Sequence, residues 1–224
     1  PPRSTLSSSS AASDVYKRQP LNGSSHEVII AGSTTIQPVS EMLASEYMKN
    51  HPGVHIRVEG GGSGSGIKRA GSGEIEIGAS SRDLHPEEIS EYPLMKAWQI
   101  GGSGIVVIVD STFPADCISK DDLAMLYDNR SEDLGGEGCL CTLSTVVQRS
   151  DASGTEETFA AWLFPGRKNL DWSMNAPDRS ASGPVTPVAV EGNMEVVNAV
   201  KGNKGAIGFV DFGYAEDVAG IKIL

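Results

Sequence analysis

Three short loops rich in glycine, serine and threonine have the composition of an anion site. They read GSTT (32–35), GGGSGSG (60–66) and RSDASGT (149–155). Each follows an apolar run typical of a strand and precedes a helical pattern. A helix N-terminus offers backbone N–H groups and a partial positive charge, and glycine lets the backbone approach a ligand. Because hydroxyl groups add uncharged donors, the loops predict an anion site at the carboxyl ends of strands.

Each loop alone also has a simpler interpretation as a helix cap or a turn. Serine and threonine are ordinary N-caps, and Ser153-x-x-Glu156 fits a capping box. The glycine loop fits a flexible turn equally well. It is not a Walker phosphate loop, because the order G-x-x-x-x-G-K-[ST] fails at Lys68. Three such loops, with Arg82 and Arg149 beside two of them, are more specific than any single loop.

The elements that must position these loops alternate between strand and helix patterns. Strand patterns occur at 27–33, 54–61, 74–81, 104–110, 144–151, 187–192 and 205–212. Helical patterns occur at 37–50, 66–71, 119–129, 153–164 and 193–201. This alternation predicts an α/β fold with mainly parallel sheets, and such sheets bind ligands at the carboxyl ends of their strands.

The charge balance excludes one class of partner. The 224 residues include 18 Lys and Arg against 29 Asp and Glu, a net charge of −11. A nucleic-acid surface needs clustered basic residues, so none is expected. A small anion is not excluded, because local N–H dipoles and one or two arginines suffice to bind it. The sequence has no run of 18 apolar residues, so we expect no membrane-spanning segment.

Two parts of the chain allow more than one interpretation. Residues 1–25 are polar and serine-rich. We expect a disordered or non-native leader, or a spacer behind a lipid anchor, and we exclude them from the fold. Cys117, Cys139 and Cys141 lack zinc-ligand spacing. One bridge from Cys117 to either of the others and plain thiols are both compatible with the sequence.

Nothing in the sequence indicates catalysis. The four histidines are His26, His51, His55 and His85, and none stands beside a Gly-x-Ser-x-Gly elbow. No HExxH motif or other metal spacing occurs. We therefore expect a binding protein rather than an enzyme, with no cofactor and no metal.

Six stretches, taken together and in this order, carry a family resemblance. They are IIAGSTTIQPVSE, VEGGGSGSGIKRA, IGASSRDL, GIVVIVD, QRSDASGTEETF and GAIGFVDFGYA. In these stretches the chain resembles the phosphate-binding proteins of phosphate-specific ABC transporters, a branch of the class II periplasmic substrate-binding proteins. The resemblance implies a two-lobed Venus-flytrap fold, each lobe a mainly parallel sheet flanked by helices. Lobe 1 would hold 26–103 plus 205–224, and lobe 2 would hold 104–204. GIVVIVD and GAIGFV would be the two crossover strands at the hinge.

The function implied by this resemblance is capture of inorganic phosphate between the lobes and delivery to ABC transporter permease subunits. The protein would be a monomer outside the cytoplasmic membrane, periplasmic or lipid-anchored. Alternatives are a binding protein for sulfate, molybdate or tungstate, a phosphate sensor, or a phosphatase-like enzyme. Family members usually continue beyond the GAIGFV-like segment, so we expect a short branch or a fragment.

The resemblance also implies roles for individual residues. Arg149 would make a charge-assisted contact with the anion, and Asp151 would orient Arg149 or accept a proton from the anion. Ser81 stands where the best-studied branch has a proton-accepting carboxylate. Arg82 would contact the anion or form a surface ion pair. The other donors implied are Thr34, Thr35, Ser63, Ser153, Gly154 and Thr155.

Overall fold

The computed structural model describes residues 27–128, 142–170 and 185–224, which form two sheets with flanking helices. The first part of the chain contains β1 Glu27–Gly32, α1 Gln37–Asn50, β2 His55–Gly61, α2 Ser63–Gly71, β3 Ile77–Ala79 and α3 Pro86–Glu91. The second part contains β4 Ile105–Asp110, α4 Lys120–Tyr127, β5 Thr145–Arg149, α5 Gly154–Leu163, β6 Thr186–Val190, α6 Gly192–Val200, β7 Ala206–Asp211, a 3₁₀ turn Phe212–Tyr214 and β8 Ile221–Ile223. We call residues 27–91 the N-terminal unit and the described residues of 105–224 the C-terminal unit.

The N-terminal unit is built on a three-stranded parallel sheet of order β2-β1-β3. Strand β1 is central and pairs with β2 from Glu27↔His55 to Gly32↔Gly61, and with β3 from Ile30↔Ile77 to Gly32↔Ala79. Since the strands run in one direction, their carboxyl ends meet at one edge. The GSTT and glycine loops start there.

The C-terminal unit is built on a five-stranded mixed sheet of order β6-β5-β7-β4-β8. Strand β5 is parallel to β6 and β7, and β4 is antiparallel to β7 and β8. Phe159 of α5 stacks on Phe209 of β7 with ring centroids 4.2 Å apart, and Tyr127 packs edge-on against both rings. Val146 of β5 belongs to the same buried core, and the strand ends at Arg149, which is also buried.

The strand pairing corrects one part of the expected lobe division. We expected 205–224 to complete the first lobe, but β7 and β8 lie in the second sheet. Strand β7 pairs with β4 from Ile105↔Asp211 to Val109↔Ile207, and every residue of β7 is buried. A strand buried throughout needs partners on both edges, and β4 and β5 supply them. Residues 206–223 therefore belong with the C-terminal unit.

Helix α1 forms where the apolar spacing predicts it, but its apolar stripe is exposed. Val39, Met42 and Tyr47 are exposed, whereas Ser40 and Ala44 are buried. Within the described residues, no helix has the length and apolar character needed to cross a membrane. Cys117 is exposed, and its two candidate disulfide partners lie outside the described residues.

Candidate anion-binding site

The three glycine- and hydroxyl-rich loops meet where the two units touch. Thr35 Oγ1 lies 3.0 Å from Thr155 Oγ1, which joins the first loop to the third. The backbone N–H of Gly64 donates to the carbonyl oxygen of Ala152 at 3.0 Å, which joins the second loop to the third. Helices α1, α2 and α5 begin at these loops, so their N-terminal N–H groups and partial positive charges face the same region.

Arg149 is the buried positive charge of this region. Its side chain is 1% exposed and forms two hydrogen bonds with Asp151, Nε to Oδ1 at 2.7 Å and Nη2 to Oδ2 at 2.5 Å. Its Nη2 also donates to Thr34 Oγ1 at 3.3 Å across the two units. The backbone N–H of Gly192 donates to Asp151 Oδ1 at 3.4 Å. The carboxylate therefore fixes the plane of the guanidinium.

Ser63 and Ser81 form the other half of the hydroxyl cluster. Ser63 is fully buried, and its Oγ accepts from the backbone N–H of Ser81 at 3.1 Å. The two hydroxyl oxygens are 3.2 Å apart. Because Ser63 Oγ already accepts one hydrogen bond, its proton remains for donation. The structure thus places Ser81 beside Ser63 in the cluster.

Glycine is required where the units approach each other most closely. A Cβ on Gly154 would lie 2.4 Å from Ser63 Oγ and 2.8 Å from Ser81 Oγ. Gly62 has φ +85°, and a Cβ there would lie 2.5 Å from the carbonyl oxygen of Ala152. All three distances are shorter than real Cβ contacts allow. The glycines therefore bring backbone and hydroxyl donors together at this junction.

Ser153 serves as the N-cap of α5. Its Oγ accepts from the N–H of Glu156 at 3.2 Å. The Glu156 carboxylate does not accept from the backbone N–H of Ser153, as a capping box requires; that N–H donates to the carbonyl oxygen of Asp151. The carboxylate instead accepts from the backbone N–H groups of Arg149 at 2.7 Å and Leu170 at 3.1 Å. Burial raises the pKa of Glu156, and these two hydrogen bonds oppose the shift. The capping-box expectation is half correct, and the hydroxyl oxygen of Ser153 is engaged in the cap.

Arg82 lies outside the hydroxyl cluster. Its Nη1 and Nη2 each donate to Glu88 at 2.8 Å, and its Nε lies 2.7 Å from Glu157 Oε2, although the N–H does not point at that oxygen. His85 Nε2 lies 2.7 Å from the same oxygen. Hydrogen bonding to Arg82 holds the pKa of Glu88 below its usual range. These side chains form an ionic clasp between α3 and its preceding loop in one unit and α5 in the other.

Two residues of the cluster have no counterpart among the sequence predictions. Asn193, fully buried in the first turn of α6, donates to Thr34 Oγ1 at 3.1 Å and to Thr35 Oγ1 at 3.2 Å. The hydroxyl of Tyr214 donates to the carbonyl oxygen of Thr34 at 2.6 Å, and burial raises its pKa. A single asparagine at a helix start is common, so the sequence carries no signal for this role.

A cavity of about 460 Å³ lies beside the cluster rather than in it. Arg149 and Asp151 line it, together with His85, Gln148 and Lys168. The hydroxyl cluster itself is closely packed, as the glycine contacts above show. Among the described residues, no group of three or more His, Cys, Asp or Glu side chains is arranged to hold a metal ion.

Family comparison agrees with this architecture. The model of the PBP superfamily domain matches residues 9–223. The chain belongs to the PBP superfamily. The match begins inside the segment 1–25 that we expect to be a leader, and those residues lie outside the described part of the chain. The expected two-lobed α/β fold is confirmed by the family match and by the solved structure below.

Relatives within this superfamily include phosphate-binding proteins. The chain is 26% identical over 196 residues to the phosphate-binding protein PstS of Bacillus subtilis, which covers 86% of this chain and 59% of that protein. It is 25% identical over 221 residues to the protein SphX of Synechococcus elongatus, covering 93% of this chain and 61% of that one. The chain therefore spans about three-fifths of the length of these curated relatives.

One solved structure is similar in both sequence and fold. It is a phosphate ABC transporter substrate-binding protein from Clostridium perfringens with bound phosphate. The TM-score is 0.70 and the identity is 28%, with 89% of this chain and 75% of that chain covered. The recognition of the family from the sequence motifs is thereby confirmed.

Proposed function

We propose that this chain belongs to a solute-binding protein that captures inorganic phosphate between its two units for an ABC transporter. The observation that carries the proposal is the buried Arg149, whose guanidinium reaches Thr34 of the opposite unit at 3.3 Å. Hydroxyl groups and helix N-termini from both units surround it. A dehydrated anion needs such a set of preorganised donors.

The anion would be held mainly by neutral donors. Asp151 balances the charge of Arg149, so the site offers orientation and hydrogen bonds rather than excess positive charge. This explains how a chain of net charge −11 can bind an anion. The proposed direct contacts come from side chains and helix N-termini at the junction. They are Thr34, Thr35, Ser63, Ser81, Arg149, Gly154 and Thr155.

Three of the implied residues take indirect roles in this proposal. Asp151 orients Arg149 through two hydrogen bonds. Ser153 caps α5 and so positions the N–H groups of Gly154 and the residues that follow it. Arg82 helps to close the units on each other through Glu157.

The wider biological setting follows from the relatives. Curated relatives carry the name phosphate-binding protein, and a structural neighbour holds phosphate. We propose that this protein acts outside the cytoplasmic membrane, periplasmic or lipid-anchored, as a monomer that docks onto permease subunits. We propose binding without turnover.

Calorimetric titration of the 224-residue chain with phosphate, sulfate and molybdate tests this function. We expect phosphate to bind with micromolar or tighter affinity, and no release of phosphate from phosphate esters. Absence of phosphate binding together with strong sulfate or molybdate binding would assign the site to another oxyanion. Ester hydrolysis that disappears in Ser153→Ala would favour an enzyme instead.

A further inference from the structure

A fully buried asparagine connects the two units at the centre of the hydroxyl cluster. Asn193 lies in the first turn of α6 and is 0% exposed. Its Nδ2 lies 3.1 Å from Thr34 Oγ1 and 3.2 Å from Thr35 Oγ1. Its Oδ1 lies 3.2 Å from the backbone nitrogen of Asp211 and 3.5 Å from Arg149 Nη1. One side chain thus contacts the first loop, β5 and β7.

The neighbours of Asn193 determine which end of its amide faces the threonines. The backbone N–H of Asp211 and the guanidinium of Arg149 can only donate hydrogen bonds. The amide atom that faces them must therefore be the oxygen, because the reverse orientation would bury donors against donors. The NH₂ group consequently faces Thr34 and Thr35 and donates to their hydroxyl oxygens.

This arrangement sets the direction in which the threonine hydroxyls donate. Thr34 Oγ1 accepts from Asn193 Nδ2 and from Arg149 Nη2. A hydroxyl oxygen has two lone pairs and one proton, so the Thr34 proton must point away from both donors. Thr35 Oγ1 also accepts from Asn193 and lies 3.0 Å from Thr155 Oγ1. Because both hydroxyl oxygens accept from Asn193, the proton of each points away from the asparagine and is left for donation.

We propose that Asn193 is a positioning residue for anion binding. It holds the hydroxyls of Thr34 and Thr35 as donors, so the site recognises the acceptor oxygens of the anion. It also couples α6 of the C-terminal unit to the β1–α1 loop of the N-terminal unit. This inference rests on the proposed phosphate function and assigns a role to a residue that itself need not touch the anion.

A double-mutant cycle tests the role, with inorganic phosphate as the calorimetric probe and the 224-residue chain as the protein. Loss of one or two buried hydrogen bonds predicts that Asn193→Ala weakens phosphate binding about thirtyfold. In a Thr34→Val background, the factor by which Asn193→Ala weakens phosphate binding should be at least threefold smaller, because one hydroxyl through which Asn193 acts is gone. Asn198→Ala is the matched control. Asn198 is exposed on the same helix, and its replacement should leave the affinity unchanged.

The outcomes separate a positioning role of Asn193 from a purely structural one. If Asn193→Ala weakens phosphate binding by the same factor, within threefold, in the parent chain and in the Thr34→Val chain, the proposal is overturned. Asn193 would then act through a group other than the Thr34 hydroxyl. If Asn193→Ala does not fold by circular dichroism, Asn193→Asp takes its place in the cycle, since it keeps the size and the acceptor but lacks the NH₂ donor. An unsubstituted chain that binds no phosphate would contradict the proposed function instead. The cycle would then use the oxyanion that does bind.

Discussion

The Arg149 guanidinium and the Asp151 carboxylate form a two-point ion pair in which both side chains are at least nine-tenths buried, 1% and 7% exposed. Both carboxylate oxygens accept from Arg149, and Oδ1 also accepts from the N–H of Gly192. These three hydrogen bonds use three of the four lone-pair sites of the carboxylate and leave one on Oδ2. In the proposed function Asp151 orients Arg149, and acceptance of a proton from the anion is the alternative role.

Asp151→Asn tests this distinction. The substitution keeps the shape but weakens the hold on Arg149, so we expect phosphate affinity to fall at least tenfold. If Asp151 orients Arg149 and does not accept the proton, as proposed, the ratio of phosphate to sulfate affinity should stay within about threefold of the original. Competition calorimetry with both anions measures the ratio. A preference for phosphate that collapses in the variant would return the accepting role to Asp151.

Arg149→Ala should weaken anion binding about a hundredfold. The anion loses a charge-assisted donor worth roughly 3 kcal/mol, which is about a hundredfold in affinity. Asp151 is also left buried without its partner, so we expect the unfolding temperature to fall. Calorimetry and thermal denaturation measure the two effects. Arg167→Ala removes a partly exposed arginine from the same unit and is the control. Unchanged affinity in Arg149→Ala would mean that the third loop is only a helix cap.

Gly154→Ala should prevent the close approach of the two units. The new Cβ would lie 2.4 Å from Ser63 Oγ and 2.8 Å from Ser81 Oγ, so one side of the junction must move. We expect phosphate affinity to fall at least tenfold, while the unfolding temperature of the chain changes little. Gly101→Ala, where a Cβ meets nothing within 4 Å, is the matched control. An alanine at 154 with normal affinity would show that the anion does not need this approach.

Glu157→Gln should weaken the ionic clasp between the units. Glu157 Oε2 lies 2.7 Å from both Arg82 Nε and His85 Nε2. Without its charge the closed arrangement loses stability relative to an open one, so we expect faster phosphate release, by severalfold. Stopped-flow tryptophan fluorescence measures the rate. Glu87→Gln makes the same charge change at an exposed position of α3. Equal release rates for Glu157→Gln and the parent chain would rule the clasp out as a closing contact.

Glu156 should make stability depend on pH. Burial raises its pKa in the folded state above the ordinary value of 4.5. A carboxyl with a raised folded pKa stabilises the fold fully below its unfolded pKa, and this contribution is lost as pH rises through the folded pKa. The parent loses this contribution as pH rises from about 4 to 7, and Glu156→Gln does not. The unfolding free energy of the variant minus that of the parent should therefore increase over this range. Urea denaturation at several pH values measures it. A difference that does not vary with pH would contradict the shifted pKa.

The helices and strands around the three loops can be predicted from the sequence, because each depends on the spacing of apolar residues within its own segment. The strand and helix patterns around the three loops match β1, α1, β2, α2, β5 and α5. The sheet to which residues 205–224 belong cannot be predicted in this way. Antiparallel pairing of β7 with β4 joins residues about a hundred positions apart and leaves no local signature.

The site could be predicted only where residues share a motif. Arg149, Asp151 and Thr155 lie within one loop, so their proximity follows from the chain. Asn193 reaches the site from α6, about forty positions after the third loop, and an asparagine at a helix start is ordinary in sequence. Glu157 lies on α5 next to the third loop, but its partners Arg82 and His85 belong to the other unit. The sequence is compatible with Arg82 either as an anion contact or as an ion-pair partner. In the structure its partners are Glu88 of α3 and Glu157 of α5, and the second of these comes from the other unit.

A crystal structure of the chain with bound phosphate would show directly whether the junction of the two units is the anion site. We expect phosphate between the two units, with its oxygens within hydrogen-bond distance of Thr34, Arg149 and Thr155. Phosphate found instead in the neighbouring cavity beside Lys168, with the hydroxyl cluster still closed on itself, would contradict this placement of the site.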